Sequence, residues 1–173
     1  MSDYETIYAS KIKHTGPFDF KELYKWCFFW LSEETNLKVK EDRYIEKQGA
    51  DSKGVDIFWT GTREITQYFR FDVKIQWRIL NMKDIEIQKD GQKIKTQTGS
   101  VEIKIKATLV RDYKNQFETS SYIQPFRNIY DKWIIPGRID EMETKLIADC
   151  NEFLDQGKAY LELEGQMSGV VNI

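Results

Sequence analysis

Two segments near the middle of the chain alternate between apolar and polar residues. From Phe69 to Ile79 the apolar residues occupy the odd-numbered positions. A period of two places them on one side of a β-strand. Residues 101–109 alternate in the same way. Because each segment has one apolar and one charged face, we expect an antiparallel sheet that is covered on one side only.

Two segments with apolar residues at helical spacing flank this β region. The first covers about residues 20–34, with Asp19 as its predicted N-cap. The second runs from residue 138 to about residue 163, and Pro136-Gly137 marks its start. A helix of that length is roughly 40 Å long, enough to cross a sheet. We therefore predict that the C-terminal helix covers the apolar face of the sheet.

Glycine and proline divide the rest of the chain. A first strand over residues 4–12 is predicted to end at Gly16-Pro17, and a clear strand is predicted over residues 64–80. Asp90-Gly91 is a two-residue hairpin signal. Further turns are predicted at residues 49–54, at residues 60–62 and at Gly99. Pro125 divides residues 117–135, where a short helix is predicted over residues 128–134.

The predicted order is a strand, a helix, five or six antiparallel strands and a long helix. This order predicts one α+β domain over residues 1–164, followed by a flexible tail over residues 165–173. The order resembles the helix-grip (START-like) superfamily, whose curved antiparallel sheet wraps a long C-terminal helix. The resemblance is one of topology over residues 4–163, and the insertion at residues 117–135 departs from the simplest pattern.

Composition and charge limit the classes of partner. The 173 residues are 40% hydrophobic and 14% aromatic, enough for a sizeable core, and the net charge is -2. Residues 139–164 carry a charge of -6, which leaves +4 for the remainder. The lysines of the β region alternate with apolar residues, as on a solvated sheet face. No aromatic residue lies between Lys83 and Lys106, so nucleic-acid binding is disfavoured.

The N-terminal sequence and the two cysteines predict a cytoplasmic protein. The N-terminus lacks a basic region followed by an apolar one, as a signal peptide would have. The longest apolar run is too short to span a membrane. Cys27 and Cys150 each fall on the apolar side of a predicted helix. We predict two buried thiols, and a disulfide between them is the alternative.

Candidate catalytic chemistry is sparse, so the sequence favours a binding protein over an enzyme. His14 is the one histidine, and no nucleophile motif or glycine-rich phosphate loop accompanies it. We predict that it is a solvated loop residue. Asp140, Glu141 and Glu143 fall in the first turns of the C-terminal helix, where they suit the helix dipole. We therefore predict no cofactor and no metal site.

The leading functional hypothesis is binding of a small apolar molecule between the sheet and the C-terminal helix, as the helix-grip resemblance implies. Apolar walls with a few polar groups are typical of such cavities. The predicted lining residues are Trp59, Phe71, Trp77, Ile105, Met142 and Phe153. The sequence does not decide between this cavity and a filled core.

The alternative is an interaction or assembly protein. Trp26 and Phe29 lie off the core stripe of the first helix and three positions apart. If they are exposed, they form an interface for a protein partner or for a second copy in a symmetric dimer. If residues 117–133 fold over them, they belong to the core instead.

Overall fold

The computed structural model describes residues 3–114, Ile129, Lys132 and residues 136–167. The chain is an α+β protein, as predicted. Within the ranges 3–114 and 136–167, five strands and two helices follow in the order β1 (Asp3–Phe18), α1 (Phe20–Glu33), β2 (Lys38–Gln48), β3 (Lys53–Glu64), β4 (Phe69–Lys89), β5 (Gln92–Arg111) and α2 (Pro136–Met167).

The strands form one antiparallel sheet in the order β1-β5-β4-β3-β2. Both helices pack on the same face of it, and their buried residues join the sheet in a single core. We call this the inner face and the opposite one the outer face. Phe71, Val73, Ile75 and Trp77 are buried on the inner face. The alternation of β4 is therefore confirmed, and so is that of residues 101–109.

Helix α1 begins and packs as its sequence predicts. The side chain of Asp19 accepts a hydrogen bond of 2.9 Å from the backbone N–H of Glu22, which satisfies one free donor of the first turn. Leu23, Cys27 and Leu31 are almost completely buried. Both cysteines are buried free thiols, so the alternative of a disulfide is wrong.

Strand β1 does not end at Gly16-Pro17 but continues to Phe18. Gly16 pairs with Gly99 of β5 and has a φ of +136°, a conformation that favours glycine. Pro17 lies on β1, an edge strand of the described sheet, and edge strands tolerate proline.

Two predicted glycine turns are wrong because both glycines lie within strands. Gly61 is buried in β3, where Leu37 packs against it and a Cβ would come within 3.3 Å of the Leu37 side chain. Gly99 lies within β5, and a Cβ there would be 2.9 Å from the backbone oxygen of Leu80. Close packing, rather than a change of chain direction, explains both glycines.

The turns between β3 and β4 and between β4 and β5 determine where these strands begin and end. The predicted strand over residues 64–80 is interrupted, because β3 ends at Glu64 and β4 begins at Phe69. In the turn between them, Thr66 Oγ1 accepts hydrogen bonds from the N–H groups of Tyr68 and Phe69. The Asp90-Gly91 hairpin is confirmed, with both residues at positive φ. Within the described residues, four long strands follow α1, whereas five or six were predicted.

Helix α2 begins at Pro136 as predicted and runs to Met167, beyond the predicted end at residue 163. Gly157 does not end it. This glycine is buried against β1 and α1, where a Cβ would lie 3.3 Å from Ile12 Cδ1 and 3.6 Å from the Trp26 ring. The predicted tail therefore begins inside a helix, and residues 168–173 lie outside the described residues. So do the predictions for residues 117–135, apart from Ile129 and Lys132.

Candidate ligand-binding site

The residues predicted to line a cavity belong to the buried core or pack against it. The side chains of Trp59, Phe71, Trp77, Ile105 and Phe153 are at most 2% exposed, and Met142 is half-buried. The indoles of Trp59 and Trp77 pack edge to face with centroids 5.2 Å apart. These aromatic rings therefore occupy the space that a ligand would need.

One void among the described inner-face residues is too small for an organic ligand. It measures about 10 Å³ and lies among Leu31, Phe71, Leu146 and Cys150. A single water molecule needs roughly 10–15 Å³. This void therefore gives no support to the predicted cavity between the sheet and the C-terminal helix.

A much larger concavity lies on the outer face, and we call it the outer groove. Its volume is about 720 Å³, within the range of small-molecule sites. Described side chains that line it are Ala9, Lys11, Asp42, Phe58, Thr60, Lys74, Gln76, Lys104 and Lys106. Trp59 and Ile105 also border it. The side chains of both residues belong to the buried core.

Strand register brings the outer-groove residues into rows. Lys106 of β5 lies directly opposite Lys74 of β4 and Ala9 of β1. Lys74 in turn lies opposite Thr60 of β3. Successive side chains alternate between the two faces. The same alternation that buries Ile75 and Ile105 therefore brings these polar residues together on the outer face.

One carboxylate on the outer face is shared by three lysines. Glu102 Oε2 lies 3.1 Å from Lys13 Nζ and 3.4 Å from Lys11 Nζ, and its Oε1 lies 3.2 Å from Lys104 Nζ. The hydrogen bond from Lys13, with those of its neighbours, lowers the pKa of Glu102 to about 2. Glu102 is thus ionised across the physiological pH range and neutralises part of this cluster.

The other carboxylates beside the groove also have partners. Asp42 accepts a short hydrogen bond from Thr60 Oγ1. Asp72 accepts two hydrogen bonds from Arg70, of 2.7 and 2.8 Å. Asp56 lies 3.5 Å from Arg78 and 3.6 Å from Lys47. Lys74 and Lys106 are exposed, and neither forms an ion pair with a described residue. Among the described residues, they therefore form a positive pair in the groove that no carboxylate neutralises.

The predicted interface residues on α1 do not form one exposed patch. Trp26 is half-buried and stacks on Tyr160 and Phe153 of α2, with centroids 5.4 and 6.1 Å apart. Phe29 is 63% exposed, and Phe28 beside it is 38% exposed. Helix α2 therefore covers Trp26. From the sequence alone, we considered residues 117–133 as the segment that would cover it.

The remaining sequence candidates do not form a site together. His14 lies in β1, half-buried on the inner face with Nε2 3.2 Å from the backbone oxygen of Pro17, so the prediction of a solvated loop histidine is wrong. Burial raises the pKa of Glu143 in α2. No group of three or more His, Cys, Asp or Glu residues that could hold a metal ion occurs in the described ranges. None of the helices described there is long and apolar enough to cross a membrane.

Comparisons with protein-family models, with curated proteins and with solved structures find no match to this chain. A function for this chain therefore has to be inferred from its own geometry. Sequence reasoning placed the lysines on an outer face but missed the groove. One feature of the sequence could have indicated the groove, because Phe58 is an aromatic residue at a polar position of its strand. Its position beside the lysines, however, depends on the register of β3, β4 and β5.

Proposed function

We propose that this protein is a non-enzymatic binding protein that holds a small organic molecule in the outer groove. The observation that carries the proposal is a concavity of about 720 Å³ with the half-buried Phe58 ring among polar side chains. Binding sites for small molecules typically combine apolar surface with a few convergent polar groups. The proposal keeps the ligand-binding role expected from the sequence and moves the site from the inner to the outer face.

The groove chemistry supports binding rather than catalysis. Acyl transfer and similar reactions need a nucleophile within hydrogen-bond reach of a base. The residues best suited to such a pair, His14, Cys27 and Cys150, all lie on the inner side of the sheet. Burial raises the pKa of Cys150 to about 12 and that of Cys27 well above its usual value, so both thiols stay protonated and weakly nucleophilic.

We further propose that the architecture is a helix-grip one and that the protein works in the cytoplasm. The strand order β1-β5-β4-β3-β2, with the long α2 packed along β1, supports the first point. Two buried free thiols suit a reducing compartment and support the second.

Binding to the groove is tested by removing its aromatic ring. Native mass spectrometry of the purified protein, with and without a library of small organic molecules, identifies binders. The Phe58→Ala variant is expected to weaken them by about tenfold or more, since burial of an aromatic ring contributes roughly 1.5–3 kcal/mol. Phe29→Ala, at an exposed ring on α1, serves as the control and should leave binding unchanged. Equal affinities for wild type and Phe58→Ala would refute the proposal.

A second candidate is assembly through helix α1. Phe29 is 63% exposed, whereas Phe28 is 38% exposed and packs edge to face on Trp59 with ring centroids 5.8 Å apart. Aromatic residues are enriched at protein interfaces. This candidate retains Phe29 of the predicted pair, adds Phe28, and leaves Trp26 in the contact between the helices.

A further inference from the structure

We propose that Lys74 and Lys106 form the anion-binding part of the outer groove and receive the phosphate group of an organic phosphate monoester. This inference rests on the proposed function, because it names the chemical class of the ligand that the groove would hold. It concerns two side chains that face each other on the central strands β4 and β5.

The first argument is the direct opposition of two like charges. Side chains of directly opposed residues on antiparallel strands have Cβ atoms roughly 4.5–5.5 Å apart, and like charges in such pairs are destabilising. The pair therefore weakens the free sheet rather than strengthening it. An anion bound between the two ammonium groups would remove that repulsion.

The second argument is a matched pair on the same face. Lys11 and Lys104 are also directly opposed, on β1 and β5. There the protein supplies the compensating carboxylate itself, because Glu102 lies within 3.4 Å of both ammonium groups. One row further along β5, Lys106 and Lys74 have no such carboxylate among the described residues. The nearby acids are engaged elsewhere, Asp72 by Arg70 and Asp42 by Thr60.

The third argument concerns the kind of anion. A phosphate monoester carries about -1.5 to -2 charges at pH 7 and has three acceptor oxygens. It therefore matches two ammonium groups in charge and offers each of them an acceptor. A carboxylate would neutralise only one of the two. Lysine binds phosphate as a point charge, and the described groove lining contains lysines and no arginine.

Phe58 limits the organic part of the ligand. It lies on β3, opposite Gln76 of β4, so β3 is two strands away from Lys106 on β5. Neighbouring strands are about 4.8 Å apart, which places the strand of Phe58 roughly 10 Å from that of Lys106. An ester with an apolar or aromatic group next to the phosphate would span that distance and contact the ring.

The probe is phenyl phosphate, titrated into the full chain by isothermal calorimetry at low ionic strength. The variant is Lys74→Gln/Lys106→Gln. The control is Lys89→Gln/Lys93→Gln, which removes the same charge from the same two strands near the Asp90-Gly91 turn. We expect the first variant to weaken binding by about tenfold or more, since hydrogen bonds to charged groups are the strong ones. The control should change it by less than about twofold at moderate salt.

Two further probes identify which part of the ligand is recognised. Inorganic phosphate should bind through the same lysines but more weakly than phenyl phosphate, and phenylacetate should bind more weakly as well. Equal affinities for phenyl phosphate and phenylacetate would overturn the phosphate assignment. So would a short single-stranded oligonucleotide that binds through these lysines while phenyl phosphate shows no binding up to about 10 mM.

The readouts separate this inference from the proposed function. If phenyl phosphate binding depends on Phe58 but is insensitive to the Lys74/Lys106 change, the anion-binding pair is refuted and the groove function stands. If Phe58→Ala leaves binding of every probe unchanged, the groove function itself is refuted. Melting curves provide a check on folding, because loss of the like-charge pair should leave the melting temperature equal to or above that of wild type.

Discussion

Trp26 of α1 stacks on Tyr160 of α2, with ring centroids 5.4 Å apart and planes inclined by 15°. Gly157, three residues before Tyr160, lies under the edge of the same indole. Helix α2 thus approaches α1 and β1 closely at a residue without a side chain, and the Trp26 ring covers that position. The contact fixes the C-terminal helix against both the sheet and the N-terminal helix.

A larger residue at Gly157 should therefore destabilise the fold. Gly157→Val places branched carbons against Ile12 Cδ1 and the Trp26 ring, where a Cβ alone is already within 3.3 and 3.6 Å. Overpacking of this kind costs about 1–3 kcal/mol. Urea denaturation measures the loss. Gly137→Val is the control, because nothing lies within 4 Å of a Cβ there, and equal losses for the two variants would contradict the packing role.

Trp77 and Trp30 should respond differently to substitution. The change to alanine should lower the free energy of unfolding more at Trp77, and the change to phenylalanine should lower it less there. Trp77 is fully buried, and its Nε1 has no described hydrogen-bond partner. Trp77→Ala should cost about 3–5 kcal/mol of unfolding free energy. Trp77→Phe should cost much less, because it also removes a buried N–H without a partner.

Trp30 provides the comparison, since its Nε1 donates a hydrogen bond of 2.9 Å to Gln156 Oε1 of α2. Trp30→Phe loses that bond and leaves Gln156 without its donor, so it should be more destabilising than Trp77→Phe. The two free energies come from the same urea denaturation experiment. A larger cost for Trp77→Phe than for Trp30→Phe would show that the Trp77 N–H does have a partner.

The sequence predicted the elements whose signal is local. The period of two in β4 and the N-cap Asp19 each depend on neighbouring residues, and both are confirmed. The turn predictions at Gly61 and Gly99 were wrong because these glycines are required by contacts outside their own segments. Each is a glycine that allows a residue distant in sequence or on another strand to pack closely. A glycine required by a turn cannot be distinguished in a single sequence from a glycine required by close packing.

The candidate site could be predicted only in part for the same reason. The positions of Lys74 and Lys106 on a polar face follow from alternation within each strand. Their direct opposition follows from the β4–β5 register, in which residues are paired around the Asp90-Gly91 hairpin with a shift between Leu80 and Lys83. A shift of one residue moves a side chain to the other face. No pattern within either strand reveals that irregularity.

Glu102 should make stability depend on acid pH. Its pKa is lowered to about 2 in the folded protein, below the value of roughly 4.3 for an unperturbed glutamate. The lysine contacts therefore stabilise the folded state fully above the unfolded pKa, and this contribution is lost as the pH falls through about 4 toward 2. Glu102→Gln should be less stable than wild type near neutral pH.

The measurement is the difference in unfolding free energy between wild type and Glu102→Gln at a series of pH values. The difference should shrink as the pH decreases, because the wild-type carboxyl becomes protonated and resembles the amide. Glu86→Gln, at an exposed position on β4, is the control and should show little dependence on pH. A difference that stays constant down to about pH 2 would contradict the shared ion-pair cluster.

Association through α1 should depend on Phe29 and Phe28, and not on Trp26 alone. Phe29 is the more exposed of the pair, and a symmetric dimer would bring it against its counterpart on a second copy. Sedimentation velocity at micromolar concentration should show a dimer for wild type and a monomer for Phe28→Ser/Phe29→Ser. Trp26→Ser should instead lower the melting temperature, because it removes the stacking on Tyr160. A wild-type monomer would exclude the homodimer, and a dimer that survives the double change would place its interface on another surface.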